Sequence, residues 1–329
     1  MTTLTPAMPR PEVVAIGEPL IALLGQQTDV PLVEISGYGM HVTGAELNAA
    51  VGLARLGHAV SFVGRVGTDP FGQVVRRRLA MEGVDTRWLV ADERPTGLLF
   101  RNLRRTAPAE VVYRRAGSAG SCLAREDVEP AIAELRADGL VLITGVTAAV
   151  CPATTRETIE LARAGQRRLC VDLNHRSRLW SAEQAAPALR GLAETAYLVA
   201  GSLEEARLVT GLADARAAAQ ALLAAGAELV VLRHDVVAAS WFSREDPEPV
   251  TIRAGQLPAT DAVGAGDAFM AGLLSGVLEL GPAAAAACLE RAHHCGAAVV
   301  ATVGDLEGAL SRDELRALET TGLGSEPLR

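Results

Sequence analysis

The residues Asp261-Ala262-Val263-Gly264-Ala265-Gly266-Asp267 form a glycine-rich turn directly before an apolar run at 268–274. Small residues let the backbone turn sharply and let a ligand come close to it. The helix predicted after the turn directs its free N–H groups and its positive dipole end into the same space. Because Asp267 lies in the first turn of that helix, the sequence places a carboxylate beside an anion-binding site.

The turn alone leaves two interpretations open, because Asp267 can also serve only as an N-terminal partner of the helix. The turn lacks the lysine of a Walker A loop and the spacing of a dinucleotide-binding motif. A base beside an anion hole suits phosphoryl transfer. Asp267 would accept the proton of an attacking hydroxyl, and the N–H groups of Gly264, Ala265 and Gly266 would hold the charge on the phosphoryl group. We therefore predict that Asp267 and this turn are catalytic.

Short apolar runs alternate with amphipathic segments along most of the chain. Strands are predicted at 13–16, 59–63, 140–143, 169–172, 196–199 and 229–232, and helices at 46–56, 71–82, 154–164, 183–192, 203–210, 267–278 and 283–301. This order favours an α/β fold with a mostly parallel sheet and helices on both of its faces.

Two regions interrupt that alternation. Residues 20–24 with 31–42, and residues 97–103 with 111–115, are rich in β-forming residues and have no helical period. They predict a small second sheet that projects over the site as a lid. Since no linker divides the chain, residues 1–329 are predicted to form one domain, with a lid at about 20–43 and 96–115.

Composition excludes several classes of function. The net charge of −8 argues against a nucleic-acid-binding protein, and no apolar stretch approaches the length of a membrane span. The five cysteines are odd in number and have no CxxC spacing, which is typical of reduced thiols in a cytoplasmic protein. The first twelve residues are predicted to be a short disordered leader.

Two separate regions resemble the ribokinase-like, PfkB-type carbohydrate kinases. DAVGAGDAFMAGLLSG at 261–276 is similar to one family motif, and TGAELNAA at 43–50, LARLG at 53–57 and VGRVGTDPFG at 63–72 are similar to its companion. The likeness extends over about residues 13–315. It implies a Rossmann-like, three-layer α/β/α ribokinase-like fold with a β-sheet lid, and a homodimer or higher homo-oligomer formed through that lid.

Within this family, the chain most resembles the 2-keto-3-deoxygluconate kinases. The likeness rests on GEPL at 17–20, RAGSA at 115–119, DLNHR at 172–176 with Leu179-Trp180, and EGA at 307–309. It implies that the substrate is bound by Gly44, Asn48, Tyr113, Arg115 and Arg176. Two arginines in one pocket also indicate an anionic substrate, because a guanidinium fork suits a carboxylate.

The resemblance also implies ATP and Mg²⁺ as cofactors and leaves K⁺ open as a further one. It assigns the base to Asp267 and the anion hole to Gly264, Ala265 and Gly266, as the turn itself suggested. The implied nucleotide-binding residues are Ser202, Arg233, Gly264 and Gly266. Glu205 would help to organise Mg²⁺ through water, as a cation that keeps several of its waters allows.

The predicted function is ATP-dependent phosphorylation of a 2-keto-3-deoxy sugar acid. Two alternatives stay open: a kinase for ribose, fructose or a nucleoside, and a weakly active protein that binds a sugar acid. The first conflicts with Arg115 and Arg176, which a neutral sugar would not need. The second is motivated by residues 233–239, RHDVVAA, which lack the two glycines of the family's loop near the nucleotide.

Overall fold

The computed structural model describes residues 9–105, 108–235, 237–246, 248–253, 255 and 260–322. Residues 1–8 of the predicted leader lie outside these ranges. The end of the leader is ordered, contrary to the prediction, because the Glu12 N–H donates to the Ala59 carbonyl at 2.7 Å. No helix in the described ranges combines the length and the apolar character that crossing a membrane requires.

The strands and helices alternate along most of the chain. The strands are β1 (Val13–Ile16), β2 (Leu20–Thr28), β3 (Tyr38–Thr43), β4 (Val60–Gly67), β5 (Leu89–Asp92), β6 (Gly97–Leu103), β7 (Val111–Arg114), β8 (Leu140–Thr144), β9 (Arg168–Asp172), β10 (Leu198–Ser202), β11 (Leu229–Arg233), β12 (Ala238–Ser243) and β13 (Val250–Arg253). The helices are α1 (Ala45–Arg55), α2 (Pro70–Met81), α3 (Arg125–Glu134), α4 (Gly145–Val150), α5 (Pro152–Ala164), α6 (Ala182–Ala193), α7 (Leu203–Thr210), α8 (Ala215–Ala225), α9 (Ala265–Glu279), α10 (Ala285–Val300) and α11 (Arg312–Thr321).

The large sheet has the order β13-β12-β11-β10-β9-β8-β1-β4-β5. Its pairs from β11 through β5 are parallel, whereas β12 and β13 add an antiparallel edge. The mostly parallel sheet predicted from the alternation of elements is confirmed. Parallel strands end at the same edge of a sheet, and ligands bind there in open α/β folds.

Helices cover both faces of the large sheet. Alternate residues of β8 show this, since Leu140 and Leu142 pack in one core cluster with α1, α9 and α10. Val141 and Ile143 pack in the other cluster, with α3, α6 and α8. Alternation of side chains across a strand thus produces the predicted three-layer α/β/α arrangement.

The second sheet has the order β3-β2-β6-β7. The strand pairs β2–β3 and β6–β7 are antiparallel, and β2 pairs in parallel with β6. The strands lie within the segments predicted to form the lid, with a short 3-10 turn at Leu32–Glu34 between β2 and β3. One face of this sheet closes over the carboxyl edge of β1, where the candidate site begins.

Candidate active site

Asp267 lies in the first turn of α9, directly after the glycine-rich turn. Gly264 is the N-cap of this helix and has φ of +83°, a left-handed conformation that favours glycine. A Cβ at this position would lie 2.7 Å from the backbone oxygen of Asp305. Position 264 therefore requires glycine, both for its left-handed backbone conformation and because the backbone at Asp305 passes close to it. The free N–H groups of α9 face the space in front of Asp267.

Two asparagines hold the buried carboxyl group of Asp267. The Asn48 Nδ2 donates to Oδ2 at 2.8 Å, and the Asn174 Nδ2 donates to Oδ1 at 3.3 Å. Burial raises the pKa of Asp267 to about 7, against the opposing effects of the Arg176 charge and the Asn48 hydrogen bond. A carboxyl group with this pKa is suited to take up a proton near neutral pH.

Two cavities meet at Asp267, and Arg176 and Val263 also line both. The smaller cavity has a volume of about 170 Å³ and lies under the lid. The larger cavity has a volume of about 550 Å³ and lies along the carboxyl edge of the large sheet. A base at this position can take a proton from a molecule in one cavity while that molecule attacks a molecule in the other.

The smaller cavity contains all the residues predicted to bind the substrate. Gly44, Asn48, Tyr113, Arg115 and Arg176 line it together with Asp267. Gly44 has φ of +151°, and a Cβ there would lie 2.6 Å from the Glu18 backbone oxygen. Glycine thus lets α1 begin directly against the cavity.

Three arginines line the smaller cavity, but two of them are paired with carboxylates. Arg115 donates from Nε to Glu18 Oε2 at 2.8 Å, and the Glu18 side chain is buried. Arg101 is held by Asp261. Among the described residues, Arg176 forms no ion pair and is exposed toward the cavities. The two arginines predicted to bind an acid are therefore not equivalent, since Glu18 already offsets the charge of Arg115.

The larger cavity contains the residues predicted to bind the nucleotide. It is lined by the four residues of that prediction, Ser202, Arg233, Gly264 and Gly266, and also by Glu205, Ala265 and Asp267. Asp172, Ser202 and Arg233 stand at the carboxyl ends of the neighbouring strands β9, β10 and β11. Part of its lining is apolar and includes Ala297, Val300 and Phe269, whose ring centroid lies 5.3 Å from that of His293 in an edge-to-face arrangement. Burial lowers the pKa of His293 to about 4, so this ring is neutral at pH 7.

Glu205 forms a capping box with Ser202 at the start of α7. Its Oε2 accepts from the Ser202 N–H at 2.7 Å, and its Oε1 accepts from the His175 N–H at 2.8 Å. Both oxygens face backbone donors, yet each keeps a lone pair. No group of three potential metal-ligating side chains occurs in the described part of the chain. These residues fit a divalent cation held through its own waters rather than by a protein cage.

Several residues of the site were not identified from the sequence, namely Glu18, Arg101, Asn174, His293 and Asp305. Of these, Glu18 and Asn174 had a local signal, since they lie within the GEPL and DLNHR stretches that carry the family likeness. Asp305 accepts a hydrogen bond from the Thr43 hydroxyl, and burial raises the pKa of its carboxyl group. It reaches the site from a loop near the C-terminus, which the sequence pattern did not connect to the lid.

The fold and the paired cavities define a small-molecule phosphotransferase. The sequence profile of the pfkB family carbohydrate kinases matches residues 10–311, so the chain belongs to this family. It is a sugar kinase, and both the predicted fold and the predicted class of enzyme are confirmed.

Several curated relatives are named as kinases of oxidised deoxy sugars. The chain is 29% identical over 292 residues to the 2-dehydro-3-deoxygluconokinase of Bacillus subtilis, with 86% of this chain and 87% of the relative covered. It is 28% identical over 276 residues to the 5-dehydro-2-deoxygluconokinase of Shouchella clausii, with 81% and 83% covered. A sugar kinase from Pyrococcus horikoshii solved in complex with ATP superposes with a TM-score of 0.80, at 26% identity, covering 93% of this chain and 97% of that chain.

Proposed function

We propose that this kinase transfers the γ-phosphoryl group of ATP to the terminal hydroxyl of a 2-keto-3-deoxy sugar acid such as 2-keto-3-deoxygluconate. The observation that carries the proposal is Arg176, a cation without an ion-pair partner in the described residues, in the smaller cavity beside Asp267. A substrate carboxylate would satisfy it. The names of the curated relatives support the same class of substrate.

Asp267 is the general base of this proposal. Asn48 and Asn174 fix its carboxylate, which takes the proton of the attacking hydroxyl as that oxygen approaches the phosphorus. The amides of Gly264, Ala265 and Gly266 stabilise the negative charge on the phosphoryl oxygens. The lid strands limit access of water, which would otherwise compete as the acceptor.

The larger cavity is proposed to hold ATP, as the ATP complex of the Pyrococcus relative supports. Gly296, Ala297 and Val300 of α10 line an apolar part of this cavity that suits a base, and the sheet edge from Asp172 to Arg233 faces the phosphates. Glu205 would orient waters of a bound Mg²⁺, whose chemistry is to neutralise the phosphate oxygens.

A coupled assay of ADP release tests the substrate class. Purified protein is offered 2-keto-3-deoxygluconate, 5-keto-2-deoxygluconate, gluconate, ribose, fructose and a nucleoside, each with ATP and Mg²⁺ and with or without KCl. We expect turnover with the keto-deoxy acids and little with neutral sugars. Turnover confined to neutral sugars would overturn the proposal, and binding of an acid without turnover would favour the weakly active alternative.

We also propose that two copies of the chain associate through the outer face of the lid. Met40, Leu23, Phe100 and Val112 form one cross-strand row over β3, β2, β6 and β7. Met40 is 50% exposed and Val112 is 37% exposed. Such a continuous apolar row suits a second copy of the same sheet. Light scattering should give a dimer mass, and Met40→Glu should lower it to that of a monomer.

The proposed location is the cytoplasm. All five cysteines are free thiols in the structure, and all except Cys122 are buried. Burial raises the pKa of Cys151 and Cys295 to about 12, so these thiols stay protonated and unreactive. Cell fractionation of the source organism, with a cytoplasmic marker enzyme, tests this assignment.

A further inference from the structure

We propose that Arg233 is a catalytic residue that donates a hydrogen bond to the phosphate chain during transfer, in addition to the amides of the anion hole. This inference rests on the phosphoryl transfer proposed above but not on the identity of the sugar. It goes beyond binding of the nucleotide, because Arg233 would stabilise part of the negative charge that develops as the phosphoryl group moves.

The first observation is the place of the guanidinium group. Arg233 is the last residue of β11, and it lines the larger cavity together with Gly264, Ala265 and Gly266. Its Nη1 lies 3.6 Å from the point that a Cβ on Gly266 would occupy. The guanidinium therefore borders the backbone of the anion hole, on the side of the cavity proposed to hold the phosphates.

The second observation is the way in which the group is held. Nη2 lies 3.4 Å from Asp172 Oδ1 and 3.8 Å from Glu205 Oε2. The guanidinium carbon stands over the Phe269 ring, 5.5 Å from its centroid, and the side chain is 19% exposed. Two carboxylates and an aromatic face thus fix the orientation of the fork before any ligand binds.

The third observation is an unused donor. Nη1 is shielded from solvent and has no hydrogen-bond partner within the described residues. A buried guanidinium N–H without an acceptor is costly, and a phosphate oxygen is an acceptor to which arginine is well suited. Nη2 of Arg233 is thus anchored, whereas Nη1 is available to an anion in the larger cavity.

The proposed step balances as a single displacement. The sugar oxygen forms a bond to the γ-phosphorus and gives its proton to Asp267, while the bond from that phosphorus to the bridging oxygen breaks and leaves its electron pair on ADP. Negative charge grows on the phosphate oxygens during this change. A fixed cationic donor stabilises the charge without reorganising, which is why it accelerates the step more than it strengthens ground-state binding.

This role also bears on the turn between β11 and β12, which lacks the expected glycines. The Asp235 carboxylate accepts from the N–H groups of Val237 and Ala238, both at 2.8 Å, and so stabilises the turn through a side chain. The amides of Val237 and Ala238 are therefore occupied within the turn. The Arg233 side chain then supplies a donor to the cavity from the same segment of chain.

The experiment compares Arg233→Ala with wild type in the ADP-release assay, using the sugar that wild type phosphorylates fastest. We expect kcat to fall about 100-fold or more, with KM for ATP changed much less. Addition of guanidinium or ethylguanidinium should restore part of kcat in the variant and leave wild type unaffected. Arg125→Ala, on the exposed surface of α3 and outside both cavities, is the control and should keep wild-type kcat.

A structural role alone predicts a different pattern. If Arg233 only offsets the charge of Asp172, the double variant Arg233→Met/Asp172→Asn should fold and regain wild-type kcat, and that result would overturn the proposal. Unchanged kcat in Arg233→Ala would do the same. A folded double variant that is much slower than the single variant Asp172→Asn supports the proposal, even if Arg233→Ala does not fold. The choice of sugar by wild type is measured separately, so failure of the sugar-acid assignment leaves this test intact.

Discussion

Arg101 on the lid strand β6 donates hydrogen bonds to both carboxylate oxygens of Asp261, at 2.7 and 2.6 Å. Asp261 begins the glycine-rich turn, and its Oδ1 also accepts from the Val263 N–H at 3.2 Å. Both side chains of the ion pair are buried. The lid and the anion hole are therefore connected by a buried, bidentate ion pair rather than only by the chain between them.

Removal of one partner of this pair should destabilise the protein strongly. Arg101→Met leaves the Asp261 carboxylate buried and unpaired, which should cost about 3–5 kcal/mol of unfolding free energy. The double variant Arg101→Met/Asp261→Asn should recover part of that loss, because position 261 no longer carries a buried charge, whereas Asp305, 3.8 Å from the Arg101 guanidinium, still loses its cation. Urea unfolding of wild type, the single variant and the double variant measures both values. A single variant as stable as wild type would contradict the role given to this pair.

The pH dependence of the reaction should follow the Asp267 carboxyl group. Burial raises its pKa to about 7, and only the deprotonated form can accept the hydroxyl proton. We therefore expect kcat/KM to rise with pH through about 7 and to level off above it. A rate profile from pH 5 to 9 measures this. A profile that is flat between pH 5 and 8 would exclude Asp267 as the titrating base.

Replacement of the base should nearly abolish turnover. Asp267→Asn keeps the size of the side chain but cannot accept a proton, so kcat should fall by about 10²–10⁴-fold or more. The same assay of ADP release measures it. A variant that retains the wild-type rate would show that Asp267 serves only as a partner of the helix.

The stability of the same variant gives a control that does not depend on activity. The folded pKa of Asp267 lies above the ordinary value, so the native state binds the extra proton between about pH 4 and 7. The contribution of this group to stability is present below that window and is lost as pH rises through it. The amide that replaces the carboxyl group does not titrate, so thermal unfolding should favour Asp267→Asn over wild type increasingly as pH rises toward 8.

The two arginines of the smaller cavity should respond differently to substitution. Arg176 is exposed and has no ion-pair partner in the described residues, so Arg176→Gln should raise KM for a sugar acid about 10- to 100-fold without loss of stability. The KM of Arg176→Lys should lie between those of wild type and Arg176→Gln, because lysine keeps the charge but lacks the planar guanidinium fork. Arg115→Gln should instead lower the melting temperature, since Glu18 is buried and would lose its partner. If Arg176→Gln and Arg115→Gln changed KM equally and also changed the melting temperature equally, the separate roles given to the two arginines would be contradicted.

The turn before α9 should tolerate no side chain at its N-cap. Gly264→Ala forces a left-handed conformation and a clash with the Asp305 backbone, which together should cost about 1–3 kcal/mol or more. Gly191→Ala is the matched control, because no atom lies within 4 Å of the added Cβ in α6. Helix propensity should make the control more stable by about 0.5–1 kcal/mol. Chemical denaturation of both variants tests the contrast.

The sequence allowed the base and its turn to be predicted because their signals are local. The glycines and Asp267 stand within four residues of one another, and a strand such as β1 is bounded by turn residues at both ends. The ion pair of Arg101 with Asp261 spans 160 residues, and that of Arg115 with Glu18 spans 97. Such partners are chosen by tertiary packing, so no periodicity or spacing could have identified them.

The antiparallel edge of the large sheet was missed for a related reason. The turn between β11 and β12 has no glycine, and it depends on the side chain of Asp235 instead. The missing glycines motivated the weakly active alternative, because residues with side chains restrict the approach of a backbone to a ligand. The structure shows that the Asp235 carboxylate stabilises this turn, and that Arg233 lines the cavity from the same segment.

The position of Asp267, Arg176 and Val263 in the wall between the two cavities has a stereochemical consequence. Acceptor and donor can approach from opposite sides, and no nucleophile of the protein needs to carry the group between them. A γ-phosphate made chiral with oxygen isotopes should therefore emerge in the product with inverted configuration at phosphorus.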